Sequence, residues 1–378
     1  MIYLDNNATT FCDLEITTSI NQLLIDESLG NPSSNHSFGW KAHTLYEDSL
    51  ENIAHFYNAL PDDVIITSGA SEANNQAIIG IAQSAYLQGS IRKKIIVSSI
   101  EHKCVLNAAK FACDLMGYEL ISIPVTSDGL VDIDVFKEQL SDEVLLVSIM
   151  AVNNEIGTVQ PIQDIGRLCK QYGIIFHVDG AQAGYEDIDM IAANIDMLSL
   201  SGHKIYAPIG VGALIVDSMI DIKPQPLIHG GLQQVGYRSG TIAPYLCHAM
   251  SLAVTKMHQV QSEESNRLCD LRSYLLQSLD QHSIEYIING TMINRHPGNL
   301  NLSLIGQDNN TLVQKLQPKV AISTGSACNA GIIQDSYVLK AMNLSEERLK
   351  SAVRICFGRF NTKENVDQFL DLLIPALT

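Results

Sequence analysis

The sequence predicts an α/β protein: a doubly wound, mostly parallel sheet in a large domain, joined to a smaller α+β domain. Three observations carry that expectation. Short β-branched runs alternate with longer amphipathic stretches, the pattern of βαβ units. From Tyr245 to about Ser278 the chain is helix-like with no Pro or Gly, long enough to leave one domain and begin another. The strand-like runs beyond it are sparser and mixed with helices, as in a second, smaller unit.

Val64–Thr67 reads as a buried strand, followed by a helix from Ser71 to about Gln88. Lys94–Ser98 is the next strand, with a helix from about Lys103 to Met116. Strands follow at Leu120–Ile123, Glu143–Ile149 and Ile174–Val178, the last two separated by a helix at Ile162–Tyr172. Met197–Leu200 and Gly212–Val216 continue the series. Past the long helix, Ile284–Ile288, Leu300–Leu304 and Val320–Ser323 read as strands, and Asn309–Gln317 and Thr362–Ile374 as helices. The expected division is 13–260 for the large domain, and 1–12 plus 261–378 for the small one.

Of 378 residues, 46% are apolar and 17% charged, enough to build real cores and to exclude a mainly disordered chain. The formal charge of −17 repels phosphate backbones, and the longest basic run is Arg92-Lys93-Lys94, so no direct nucleic-acid partner is expected. No apolar run reaches the roughly 18 residues a membrane helix needs, and Met1–Asp5 has no signal-peptide character. Eight cysteines without a C-x-x-C pair point to a reducing compartment, the cytoplasm by default, rather than to a disulfide or metal framework.

The chemistry-bearing residues sit where apolar runs end, at which point α/β sheets hold ligands. Lys204, in Ser201-Gly202-His203-Lys204, follows a buried strand; a lysine in a partly desolvated loop can form a Schiff base. A solvated surface charge is the plainer reading of that residue alone. Asp179 ends the run Ile174–Val178, and either starts a turn or points into the ligand crevice. An acid with a lysine is the pair that pyridoxal phosphate requires. Ser68-Gly69-Ala70-Ser71 leads from strand to helix, fit for a phosphate or for a plain cap by Ser71. His102 sits at another strand-to-helix change, where imidazole can stack on a flat ring or serve structure. Cys328, in Ser323-Thr324-Gly325-Ser326-Ala327-Cys328, has the small neighbours of an exposed loop, where a thiol can be a nucleophile. The other seven cysteines read as core or incidental. Arg354 can take a carboxylate bidentately; for Arg359 a structural ion pair is the better reading.

Together these residues resemble the class V aminotransferase-like family of pyridoxal-phosphate enzymes, and within it the cysteine desulfurases of NifS/IscS type. The motifs run in order from Tyr3-Leu4-Asp5-Asn6-Asn7-Ala8-Thr9-Thr10 through Gly30-Asn31-Pro32, Glu101-His102-Lys103, Asn153-Asn154-Glu155-Ile156-Gly157, Ser201-Gly202-His203-Lys204 and Arg238-Ser239-Gly240-Thr241. They end at Arg354-Ile355-Cys356-Phe357-Gly358-Arg359.

The resemblance implies fold type I and pyridoxal 5'-phosphate as cofactor. It implies that Lys204 carries the cofactor and takes the substrate α-proton, that Asp179 pairs with the ring nitrogen, and that His102 stacks on the ring as acid/base. Gln182 and Asn154 would orient ring and substrate. Ala70, Ser71, Ser201 and His203 would hold the phosphate, with Thr241 reaching the other protomer of a homodimer. Arg354 would bind the carboxylate of L-cysteine, and Cys328 would take its sulfur and pass it to an acceptor protein. The acceptor could serve iron–sulfur assembly, tRNA thiolation or DNA phosphorothioation. A chain running only to Thr378 lacks the extension that docks the scaffold in housekeeping members, which favours a dedicated acceptor. A selenocysteine lyase and a partner-gated sulfur carrier are the competing expectations.

Overall fold

The computed structural model describes residues 1–324 and 335–377. Among them, twelve strands form three sheets. In chain order the strands are β1 (Ile2–Tyr3), β2 (Val64–Thr67), β3 (Lys94–Ser98), β4 (Glu119–Ile123), β5 (Val144–Met150), β6 (Ile175–Asp179), β7 (Met197–Ser201), β8 (Gly212–Val216), β9 (Tyr286–Ile288), β10 (Asn299–Leu304), β11 (Val320–Ala321) and β12 (Ala352–Cys356).

The large sheet has seven strands in the order β2-β8-β7-β6-β5-β3-β4. Its strands alternate between two faces, as a period of two demands. Ile95, Val97, Leu146 and Leu214 pack under the helices Ala70–Leu87 and Lys103–Met116. Ile96, Val147, Phe176, Leu198 and Ile215 pack on the opposite face, with side chains from Ser37–Phe56, Ile162–Gln171 and the start of Pro244–Gln281. Both faces are covered, so these strands read as nearly continuous apolar runs.

The sheet is mostly parallel, with one departure from a simple continuing series. β8 runs antiparallel to both β2 and β7. Ten residues separate Ser201 from Gly212, fewer than a parallel crossover of a dozen or more needs, so the chain folds straight back. Gly212 then sits at a close approach: a Cβ there would meet the Leu200 carbonyl oxygen at 2.5 Å and the Gly69 Cα at 2.6 Å.

The second core is built on β9, β10 and β12, joined antiparallel. Leu300, Leu302 and Leu304 of β10 face that core with Val353, Ile355 and Phe369. The alternate residues are polar: Asn299 and Asn301 both donate to the Glu155 carbonyl, at 3.3 and 3.1 Å. This fixes the small unit behind the Asn153–Glu155 loop. The first residues return to it as well. β1 pairs parallel with β11, and Ile2 and Leu4 are buried in the same core.

One helix, Pro244–Gln281, serves both cores. Its 38 residues span about 57 Å at 1.5 Å per residue. Cys247, Met250, Val254 and Met257 lie in the first core; Leu268, Leu271, Leu275 and Leu279 lie in the second. Pro244 stands at the helix start, where its missing N–H costs nothing. No helix among the described residues is long and apolar enough to cross a membrane.

Candidate active site

The register of the large sheet sets the site. Across its strands, Thr67 pairs with Gly212, Gly212 with Ser201, Ser199 with Asp179, and Asp179 with Met150. The segments that leave these residues carry Ala70 and Ser71, His203 and Lys204, Gln182, and Asn154. Neighbouring β3 ends at Ser98 and leads to His102. Five strand ends therefore bring the expected residues to one edge of the sheet.

Asp179 is buried, 4% exposed. One oxygen does start a turn, accepting the Ala181 N–H at 3.0 Å. The other accepts from the Asn74 side chain at 2.7 Å. Burial raises its pKa above the usual carboxylate range, and the Ala181 N–H, His102, Asn74 and Lys204 pull against that rise. Lys204 donates to the carbonyls of Asn7 and Ala8, the second at 2.9 Å. Gln182 donates to the same Asn7 carbonyl at 2.6 Å.

His102 caps the helix Lys103–Met116: its Nδ1 accepts the Cys104 N–H at 3.2 Å. Burial lowers its pKa, Asp179 opposes that shift, and Lys204 and Lys103 add to it. The imidazole is therefore neutral near pH 7. His203 is lowered to about 4, by burial and then by the Lys204 charge, and its Nδ1 lies 3.1 Å from the Thr9 hydroxyl.

The helix Ala70–Leu87 has Gly69 as its N-cap, with no side-chain cap. Gly69 takes φ +149°, a conformation that favours glycine. Ser71 lies inside the helix and is exposed, so it is not the cap that a serine there could have been. An uncapped helix start beside buried Ser201 offers free N–H groups and a positive dipole end. Thr241 is exposed; nearby Arg238 ties its segment to this helix through Glu72, at 2.9 Å.

Arg354 is 3% exposed. It donates to the Asn154 carbonyl at 3.0 Å and to Asp5 at 2.6 Å. Its Nε has no partner among the described residues. Burial works against its charge, but the Cys356 sulfur and the Asp5 carboxylate outweigh that and raise its pKa. Cys328 lies outside the described residues.

Several contributors were not read from the sequence. Residues 5–10 cover the site: Asp5 meets Arg354, Asn7 meets Lys204, Gln182 and Asn154, and Thr9 meets His203. Glu155 is buried, raised by burial to about 7, and accepts from Ser336 at 2.5 Å. Cys104, one of the seven cysteines read as core or incidental, lies at the site. Its sulfur lies 2.9 Å from His102 Nδ1, inside the site. The available signal was Asn74, a polar residue beside Ala73, Ala77 and Ile78 on the buried face of an apolar helix.

Residues 2–369 match the model of the aminotransferase class-V family. The chain belongs to the class-V aminotransferase family. It is 37% identical to the cysteine desulfurase IscS of Ehrlichia chaffeensis, over 98% of this chain and 92% of that protein. Among solved structures, a NifS-like protein superposes with a TM-score of 0.91 at 30% identity, covering 100% of this chain and 99% of that one. A structure described as SspA in complex with cysteine matches with a TM-score of 0.81 at 33% identity, covering 96% of this chain and all of that one. Within the family the chain stands with the cysteine desulfurases of NifS/IscS type.

Proposed function

We propose that this chain is a cysteine desulfurase that uses pyridoxal 5'-phosphate, converts L-cysteine to L-alanine, and holds the released sulfur on Cys328 for an acceptor protein. The observation that carries the reading is the meeting of Lys204, Asp179 and His102 at one sheet edge, in a chain whose relatives bear that activity in their names.

The residues fit the cofactor. Asp179 is a buried carboxylate whose hydrogen bonds come from neutral N–H groups, and a protonated ring nitrogen would give it a cationic partner. Lys204 is the amine within reach of the same crevice, and the uncapped helix start beside Ser201 suits a phosphate. Bound there, pyridoxal phosphate supplies an electron sink for a carbanion at the substrate α-carbon.

The chain supplies the rest. Lys204 would hold the cofactor through its aldehyde, and the same Nζ would serve as the base for the substrate α-proton. Gln182 and Asn154 would orient the ring, and neutral His102 would stack on it and move protons through Nε2. Ala70, Ser71, Ser201 and His203 hold the phosphate, and Thr241 reaches the phosphate in the other protomer of a homodimer. Arg354 takes the substrate carboxylate bidentately, in exchange for Asp5. The Cys328 thiolate then attacks the substrate sulfur: the S–S bond forms, the carbon–sulfur bond breaks with its electron pair going to carbon, the β-carbon gains a proton, and Lys204 gives one back to the α-carbon. L-alanine leaves and Cys328 keeps the persulfide. The same reading divides the chain into 13–260, which holds the cofactor, and 1–12 with 261–378, which carry Cys328. It also places the enzyme in the cytoplasm.

The test is alanine and sulfide release from L-cysteine with a reductant, comparing wild type, Cys328→Ala and Lys204→Ala. Wild type should give equal alanine and sulfide. Cys328→Ala should keep the cofactor's visible absorbance and its response to cysteine, yet release no sulfide. Lys204→Ala should lose that absorbance. Alanine production by Cys328→Ala at the wild-type rate would overturn the nucleophile assignment.

A further inference from the structure

Two residues of the site remain without a role: Asn74 and Cys104. Asn74 is fully buried on the helix Ala70–Leu87. Its amide nitrogen donates to Asp179 Oδ2 at 2.7 Å and to Cys104 Sγ at 3.2 Å. Its Oδ1 has no partner among the described residues. The orientation follows from the contacts: turned over, the amide would set its oxygen against the Asp179 oxygen.

Cys104 is a thiol, not a thiolate. Burial pushes its pKa up to about 12, and the Asp179 charge adds to the rise. A thiol has one hydrogen to give. Asn74 arrives at the sulfur as a donor, so that hydrogen needs another acceptor. His102 Nδ1, 2.9 Å away, is one. The same Nδ1 accepts the Cys104 backbone N–H at 3.2 Å. With two donors on Nδ1, the imidazole proton belongs on Nε2.

We propose that Asn74 and Cys104 are positioning residues, forming a hydrogen-bond chain from Asp179 to His102 that holds His102 as the neutral Nε2–H tautomer. The chain ties the carboxylate on β6 to the imidazole on the neighbouring helix, and sets the proton on the ring edge away from Cys104. What His102 does with that proton rests on the function proposed above; its tautomer does not.

Among the described residues, the groups that face His102 are few. Asp179 from β6 favours its charged form. Lys204, beyond β7, and Lys103, on its own helix, disfavour it. Glu101, the preceding residue, is raised by burial to about 8 and is neutral near pH 7. The Cys104 S–H bond adds to the neutral side, because an imidazolium has no lone pair at Nδ1 to accept it.

The test is a nitrogen-15 NMR titration of the histidine side chains, with and without pyridoxal phosphate, with His102 assigned through His102→Gln. Wild type should show the Nε2–H tautomer and a pKa below 6.5. Cys104→Ala should raise that pKa by about half a unit or more and populate the Nδ1–H tautomer; Cys104→Ser, which keeps a donor, should not. The acid limb of alanine formation should move with the NMR pKa. An Nδ1–H tautomer in wild type would overturn the proposal without any variant. So would an unchanged His102 in Cys104→Ala, even with full desulfurase activity. The expected NMR result with no alanine formed would instead count against the proposed function alone.

Discussion

Arg354 and Arg359 lie five residues apart, one on β12 and one just beyond it, and each reaches back to an acid of the N-terminal segment. Arg359 is fully matched. It bonds Asp13 at 2.9 Å and Glu264 at 2.6 Å, and its guanidinium lies 4.0 Å from the Tyr206 ring centroid. Among the described residues, Arg354 meets one carboxylate, that of Asp5, and keeps an unpartnered Nε. The Asp5 side chain is 19% exposed, against 6% for Asp13. The difference separates architecture from chemistry. A cation whose donors are taken by buried acids is a fastening, whereas one with a spare donor and a partly wet partner can exchange it for a substrate carboxylate.

That contrast can be broken most sharply at Arg359. Arg359→Met strands Glu264 and leaves Asp13 with Lys256 alone, and should cost about 3–5 kcal/mol of stability, measured by chemical denaturation, while turnover per folded enzyme stays unchanged. A pH effect should accompany it. Burial raises the Asp13 pKa, but hydrogen bonds from Lys256, the Glu15 N–H and Arg359 outweigh that, so its folded pKa lies below the usual carboxylate range. A depressed folded pKa contributes stability above about pH 4, which is lost as pH falls through the folded value. Arg359→Met brings that folded pKa closer to the unfolded one, so the acid-side drop in Tm should be smaller and complete at a higher pH. Unchanged stability would place Arg359 with the replaceable surface charges.

A smaller effect, of a different kind, is expected at Arg354. Arg354→Lys keeps the charge but loses the planar fork. KM for L-cysteine should rise roughly 10–100-fold, the worth of a charge-assisted hydrogen bond, with little change in Tm. A fall in Tm without a change in KM would make Arg354 a second fastening. The smallest effect sets the baseline. Arg167 pairs with Asp164 on an exposed helix turn at 2.7 Å, and Arg167→Ala should change stability by less than about 0.5 kcal/mol.

The sequence carried the central strands because both sheet faces are covered, which makes β5 and β6 nearly continuous apolar runs. It did not carry strand direction: periodicity in β8 is the same whichever way it runs, and only the short return from β7 decides it. The helix Ser37–Phe56 escaped notice because its buried side mixes Gly39, Ala42, Tyr46 and Ser49 with aliphatic residues. In the site, residues after strand ends were legible, since strand ends locate crevices. Asn74 and Cys104 were not, because each acts through a neighbour and has no motif of its own. The covering role of residues 5–10 was hidden for a related reason, as contacts across most of the chain leave no local pattern.

Those long contacts carry a consequence for synthesis. Asp5 and Arg354 stand 349 residues apart, and Asn6 bonds the Cys356 carbonyl across 350. A ribosome making about 5–20 residues per second releases the first partner well before the last. The strands of the large sheet can assemble in that interval, but the Asp5–Arg354 closure waits for β12. The nascent chain thus spends its waiting time with an open crevice, and its Arg354 end is among the last features to mature.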